Sequence, residues 1–191
     1  MTTVGSGTAD APPDAVVAVL VLEVEGATPA EALTACGAAQ AAVLPVLGVP
    51  AAAAGVSVAP AWDHERNRPG RPVATSRLSV RLPDLAQAGE VVTRALEAGG
   101  KAARLESLSP VVSDPSAALR EARHVAFAEA RAAAEQYAVL AGGRLGRCLS
   151  VSEAVPQSSV PVRVAMKADF AVADGAQPVI ASVTATWELA D

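Results

Sequence analysis

The stretch VGSGTADAPPDAVVAVL, residues 4–20, admits three readings, and the choice among them decides how the fold begins. The glycines of Gly5-Ser6-Gly7 could cradle a phosphate, the apolar run from Ala15 could be an export signal, or the whole could be a β-hairpin. A phosphate loop needs a strand before its glycines and a helix straight after them. Here only Met-Thr-Thr precedes the segment, and Pro12-Pro13-Asp14 follows the glycines. An export signal needs a basic leader, yet residues 1–10 hold no Lys or Arg, and Ala15 to Val24 follows a proline turn. The hairpin remains, with Thr3 to Ala9 and Val16 to Glu25 as strands around Pro12-Pro13-Asp14. Glycines inside its first strand mark a bulge or a close backbone approach.

The rest of the chain continues in short strands and capped helices. Thr28-Pro29-Ala30-Glu31 forms a capping box for a helix expected to end near Leu44, before Pro45. An alanine-rich linker around Pro50 to Ala54 leads to a strand near Val56 to Trp62. The charged loop Asp63 to Gly70 turns the chain into a strand from Arg71 to Leu82. Leu78, Val80 and Leu82 share one face of it, and Arg77, Ser79 and Arg81 the other. Asp84 caps a second helix with the stripe Leu85, Ala88, Val92, Ala95 and Leu96, which Gly99-Gly100 ends. A strand over Ala102 to Val112 completes a βαββαβ order, the split arrangement of ferredoxin-like folds.

Asp114-Pro115 then opens the longest helix, Ser116 to Ala141, about 40 Å at the usual rise. Its apolar stripe reads Ala122, Val125, Ala126, Ala130, Ala133, Tyr137 and Leu140. Gly142-Gly143 closes it, and strands follow at Leu145 to Val151 and Val179 to Trp187. Between them Pro156 to Gln177 is extended and proline-punctuated, and either pairing or looping fits it. The expected fold class is α+β: a ferredoxin-like core, then a long helix and C-terminal antiparallel strands. Residues 1–191 form a single domain in this reading, with 1–113 as the βαββαβ part plus N-terminal hairpin and 114–191 as the long helix and last strands.

Composition narrows the partners. Hydrophobic residues make up 51% of the 191 and aromatics only 3%, so alanine, valine and leucine must do the packing. Small side chains bury little area each, at roughly 25 cal/mol per Å², so the chain needs further interfaces to bury enough. A net charge of −5 argues against nucleic acid and anionic membranes as partners. No run of 18 apolar residues occurs, so no membrane span is expected. Cys36 and Cys148 belong to no metal-spaced cluster and read as two buried free thiols, with a disulfide as the alternative.

Several stretches together resemble the bacterial SIMPL-domain family. EARHVAFAEARAAAEQYAVLAGGRLGRCLSVSEA, residues 121–154, is similar to its alanine-rich helix, glycine stop and following strand. VGSGTADAPPDAVVAVLVLEVEG, residues 4–26, resembles its opening hairpin. LSVRLPDLAQAGEVVTRALEAGG, residues 78–100, resembles its central strand and Asp-led helix, and QPVIASVTATWELAD, residues 177–191, its last strand. The resemblance implies alternating strands and helices, assembly into homo-oligomers, a loose link to stress responses and no established catalytic site. Members are mostly exported or periplasmic; this sequence, without the usual leader, is expected in the cytoplasm, or outside it if a leader was removed.

Candidate chemistry is sparse. Asp63-His64-Glu65 offers three ligand types, but neighbours in an extended segment point to alternate sides and do not close on one metal. Glu121-x-x-His124 is half of a di-iron helix motif whose other half the sequence lacks; a surface pairing of the two is the expectation. Ser6 lies in no nucleophile elbow, and Cys148 with His124 would make a thiol pair only if folding joined them. The sequence therefore assigns no catalytic, cofactor-binding or metal residue and no cofactor, and predicts a non-enzyme. It reads best as an oligomerising structural or interaction protein, with the Asp63 to Arg71 loop able to fix the register of a symmetric contact. The alternative is a small-ligand carrier with a pocket between sheet and long helix.

Overall fold

A computed structural model describes residues 1–63, 68–153 and 175–190. In chain order they form β1 (Thr2–Ala11), β2 (Ala15–Glu25), α1 (Pro29–Leu47), β3 (Ala51–Asp63), β4 (Arg68–Leu82), α2 (Leu85–Gly99), β5 (Ala103–Val111), α3 (Ser116–Leu140), β6 (Arg144–Glu153) and β7 (Gln177–Ala190). The architecture is mixed α+β with two antiparallel sheets, ordered β1-β7-β6 and β3-β4-β2-β5. The described residues group into two compact units: 1–13 with 112–153 and 175–190, and 14–63 with 68–111.

In the second unit, β2 and β4 are the inner strands, with β5 beside β2 and β3 beside β4. Val16, Ala18, Leu20 and Leu22 alternate along β2 into a core shared with Leu78, Val80 and Leu82 of β4 and one face of each helix. Local chemistry places those helices. Thr28 Oγ1 accepts from the Glu31 N–H at 3.2 Å, and Asp84 Oδ1 accepts from Ala86 and Gln87 at 2.9 and 3.1 Å. Ala32, Cys36, Val43 and Leu47 bury one flank of α1; Ala88, Val92 and Ala95 bury one flank of α2. Pro45 does not end α1. The helix runs on to Leu47 and stops at Gly48 in the left-handed region, because Pro45 removes only one late hydrogen bond on an exposed face. The alanines expected as a linker already belong to β3 from Ala51.

The first unit corrects the expected hairpin. β1 is a strand, but it pairs with β7 in antiparallel register from Thr2 opposite Thr186 to Ala11 opposite Gln177. β2 has no free edge to offer, being flanked by β4 and β5. Pro12 and Pro13 would also occupy both central positions of a tight turn, where a second proline is disfavoured. The Asp14 N–H instead donates to the Val111 carbonyl at 3.1 Å.

Helix α3 lies on the β1-β7-β6 sheet along an alanine seam. Ala122, Ala126, Ala130, Ala134 and Ala138 are fully buried at four-residue spacing. Opposite them stand Gly5 and Gly7. A Cβ on Gly5 would sit 2.5 Å from the Ala130 nitrogen, and one on Gly7 would sit 2.5 Å from the Ala126 nitrogen. Neither glycine has positive φ, so space and not backbone conformation selects them. The glycines of the opening segment hold a helix backbone against a strand. This seam also overturns the expected stripe: Val125, Tyr137 and Leu140 are exposed, since side chains of that size do not fit where helix and strand touch.

Candidate functional site

Most of the residues singled out from sequence have a definite surrounding. The Ser6 N–H and hydroxyl both bond the Glu129 carboxylate, at 2.5 and 3.2 Å. Glu129 thereby covers an outward N–H on the open side of β1, an edge-protecting role. Glu121 and His124 are exposed on α3, and no ion pair among the described residues joins them; their neighbour Arg123 instead bridges to Glu153 at 3.0 Å. The Cys148 thiol donates to the Ser150 carbonyl at 3.5 Å and does not meet His124. Both cysteines are free, and Cys36 is buried, its thiol pKa pushed up by loss of water. Cys148, expected to be buried, is exposed, because β6 is an edge strand largely open to solvent. His64 and Glu65 of the charged loop, and 156–174 of the proline-punctuated stretch, lie outside the described residues, as does the register role expected of that loop. Among the described residues no group of three ligating side chains comes together.

Two surfaces of the second unit carry an organised pattern. The first is the face of its sheet opposite the helices. Arg77 on β4 and Arg104 on β5 stand opposite Val21 of the intervening β2. Arg77 grips Glu106 across that strand with two bonds of 2.6 and 2.7 Å, and Arg104 reaches Glu23 at 3.0 Å. Glu106 is the extra residue of a bulge between Ser107 and Leu105, which frees its side chain from the strict alternation. Val21 is fully buried beneath this charged layer. The Arg77 hydrogen bonds, followed by its charge, hold the Glu106 carboxyl below the usual range. A depressed folded pKa means the pair's contribution is present above the unfolded pKa and disappears as pH falls through the folded one. Carbon-detected titration is expected to give Glu106 a midpoint below the ordinary glutamate value of about 4.3, and Arg77→Gln to move it upward. An unchanged midpoint in that variant would remove Arg77 as the cause.

The second surface is built from a stretch of chain without charge. From Ala32 to Trp62 the sequence contains no Asp, Glu, Lys, Arg or His. Much of this stretch is nonetheless on the outside: Leu33 is 49% exposed, Leu44 36%, Val56 47% and Trp62 52%. Gln40 accepts from the Ser76 hydroxyl of β4 at 3.2 Å, which orients α1. Helical spacing puts Leu33, Gly37 and Leu44 on the same flank as Gln40. Val56 and Val58 pair with Ser76 and Ala74, whose side chains point into the helix-covered core, so both valines lie on that same face of the sheet. The result is an apolar step: the outer flank of α1 above and, below, strand β3, an edge strand paired with β4 alone among the described strands. By length and composition alone α1 could cross a membrane, but its inner flank belongs to the unit's core and it makes no clear span. Whole-chain composition conceals this surface; the missing charge between Glu31 and Asp63 was the signal that could have found it.

Comparison with known proteins adds one match. The family model described as SIMPL, protein of unknown function (DUF541), covers residues 1–187. No curated protein matches the chain.

Proposed function

The chain belongs to the SIMPL family, and from that premise we propose that it is a non-catalytic, self-associating structural protein whose contact surface is the uncharged step of α1 and β3. One observation carries the reading. Exposed Leu33, Leu44, Val56, Val58 and Trp62 lie in a stretch without a single charge, in a chain of net charge −5. Surfaces of soluble domains normally intersperse charge to stay apart, and an exposed apolar surface without it marks a contact site. Copies of an acidic chain meet there without like-charge repulsion. A link to stress responses rests on the family resemblance alone.

The carrier reading has less support, because it needs space between sheet and long helix. Gly5 and Gly7 bring the α3 backbone onto β1, and alanine side chains fill the seam.

Light scattering coupled to size exclusion tests the proposal. At tens of micromolar the expected mass is that of a dimer or larger, not 19.1 kDa. Val58→Glu is expected to weaken association at least roughly ten-fold with the far-UV spectrum unchanged, since a carboxylate there loses its water against an apolar partner. A monomer mass for the unaltered chain would end the reading.

A further inference from the structure

Edge strand β3 has its hydrogen-bonding pattern fixed by two prolines. Pro60 stands opposite Pro72 of β4. Neither has an N–H, so this cannot be a pair that exchanges hydrogen bonds, and the backbone groups of both residues point away from each other. The Pro72 carbonyl confirms the direction: it accepts from the Gly26 N–H, on the β2 side, at 3.0 Å. Counting back along the unbroken register from Pro60 to Val56, Ser57 and Ala59 bond inward to β4. Val56 and Val58 therefore turn their N–H and C=O groups to the open edge. On one side the bulge opposite Arg77, where Ala54 and Gly55 take the place of one residue, interrupts the strand. On the other side Pro60 offers only its carbonyl.

The geometry points to a second copy of this chain as the occupant of that edge, joined by antiparallel β3–β3 pairing around a two-fold axis at Ser57. This rests on the self-association reading above and names its contact. The register follows from the donors available. Centred on Ser57, Val56 of one copy faces Val58 of the other, twice over, and both valines use their N–H and C=O groups in full. Centred on Val58, Val56 would face Pro60 and lose a donor in each copy. Centred on Val56, Val58 would fall opposite the bulge. The two-fold arrangement is also the commonest closure for soluble homo-oligomers. It joins two four-stranded sheets into one and brings the apolar steps of both copies to the same seam, with Val56 and Val58 beside the Leu33–Leu44 flank. No charge has to be buried on either side.

Cross-linking separates this contact from any other. In the proposed register the two Ser57 residues are a non-hydrogen-bonded pair with Cα atoms about 4.5 Å apart, which suits a disulfide. Two Ala59 residues would be about 13 Å apart along the strands. With exposed Cys148 replaced by serine, Ser57→Cys is expected to oxidise to a covalent dimer at least roughly ten-fold faster than Ala59→Cys. A chain that is dimeric by light scattering but shows no such preference would overturn the β3 contact and leave self-association standing. A monomeric chain would overturn both. A monomer that floats with phosphatidylcholine vesicles would assign the surface to lipid and equally overturn the pairing.

Discussion

Gly7→Val is expected to destabilise the unit of β1, α3, β6 and β7 by about 3 kcal/mol or more, at the upper end of overpacking effects. The expectation runs against strand propensity, which on its own favours valine over glycine in an open strand. What decides the sign is the α3 backbone. Even the first carbon of a side chain at Gly7 would meet the Ala122 carbonyl oxygen and the Ala126 nitrogen, and backbone cannot swing aside as a side-chain tip does. Relief requires lifting the helix, which opens the contacts of Ala122 and Ala126 with Ala181 and Val183. Trp187 reports the outcome, being 4% exposed with its ring 5.5 Å from that of Phe127. Urea unfolding followed by its fluorescence, in a Trp62→Phe background, should show a clear loss of midpoint. Val4→Ala, on an exposed position of the same strand, should change stability by less than about 0.5 kcal/mol. A Gly7→Val midpoint at or above that of the parent would mean that helix and strand do not touch there.

What could be read from the sequence was the local part of the fold. Thr28 and Asp84 cap the helices they were expected to cap, because a capping bond spans only two or three residues. The α+β class and the family likeness were legible for the same reason: alternation, turn residues and glycine stops are written in short windows. Strand pairing is not. Nothing within Thr2–Ala11 specifies β7, whose first residue lies far along the chain, and the proline turn offered a nearer partner that β4 and β5 had already displaced. The α3 stripe failed on size. Hydrophobicity ranks Val125, Tyr137 and Leu140 above alanine, yet contact with Gly5 and Gly7 leaves room for a methyl group only. The glycines and the alanine spacing carried that information jointly, in two segments that sequence windows treat separately. At the candidate surface, no motif existed to be found; the signal was an absence of charge combined with exposure, and exposure requires the fold.

Thr3→Val should cost about 1–3 kcal/mol despite preserving shape, because it leaves a buried donor without an acceptor. Thr3 is 7% exposed and its hydroxyl stands between two partners. It accepts from the Trp187 indole N–H at 2.9 Å and donates to the Ala130 carbonyl at 2.7 Å. The two bonds tie β1, β7 and α3 together in a unit whose remaining contacts are mostly alanine and glycine, and so non-directional. Their losses are unequal. Ala130 lies mid-helix, where its carbonyl keeps the ordinary helical partner four residues on, whereas an indole nitrogen has one proton and one use for it. The larger share of the cost therefore belongs to Trp187, and a double-mutant cycle can isolate it. Trp187→Phe removes the stranded donor, so Thr3→Val should cost less in that background than alone. Thr3→Ser, which keeps the hydroxyl and gives up a methyl group, should fall nearer the parent. Amide exchange along β7 and the facing turns of α3 measures each variant where the bonds act. Equal costs for Thr3→Val with and without the indole would show that the hydroxyl serves α3 and not the tryptophan.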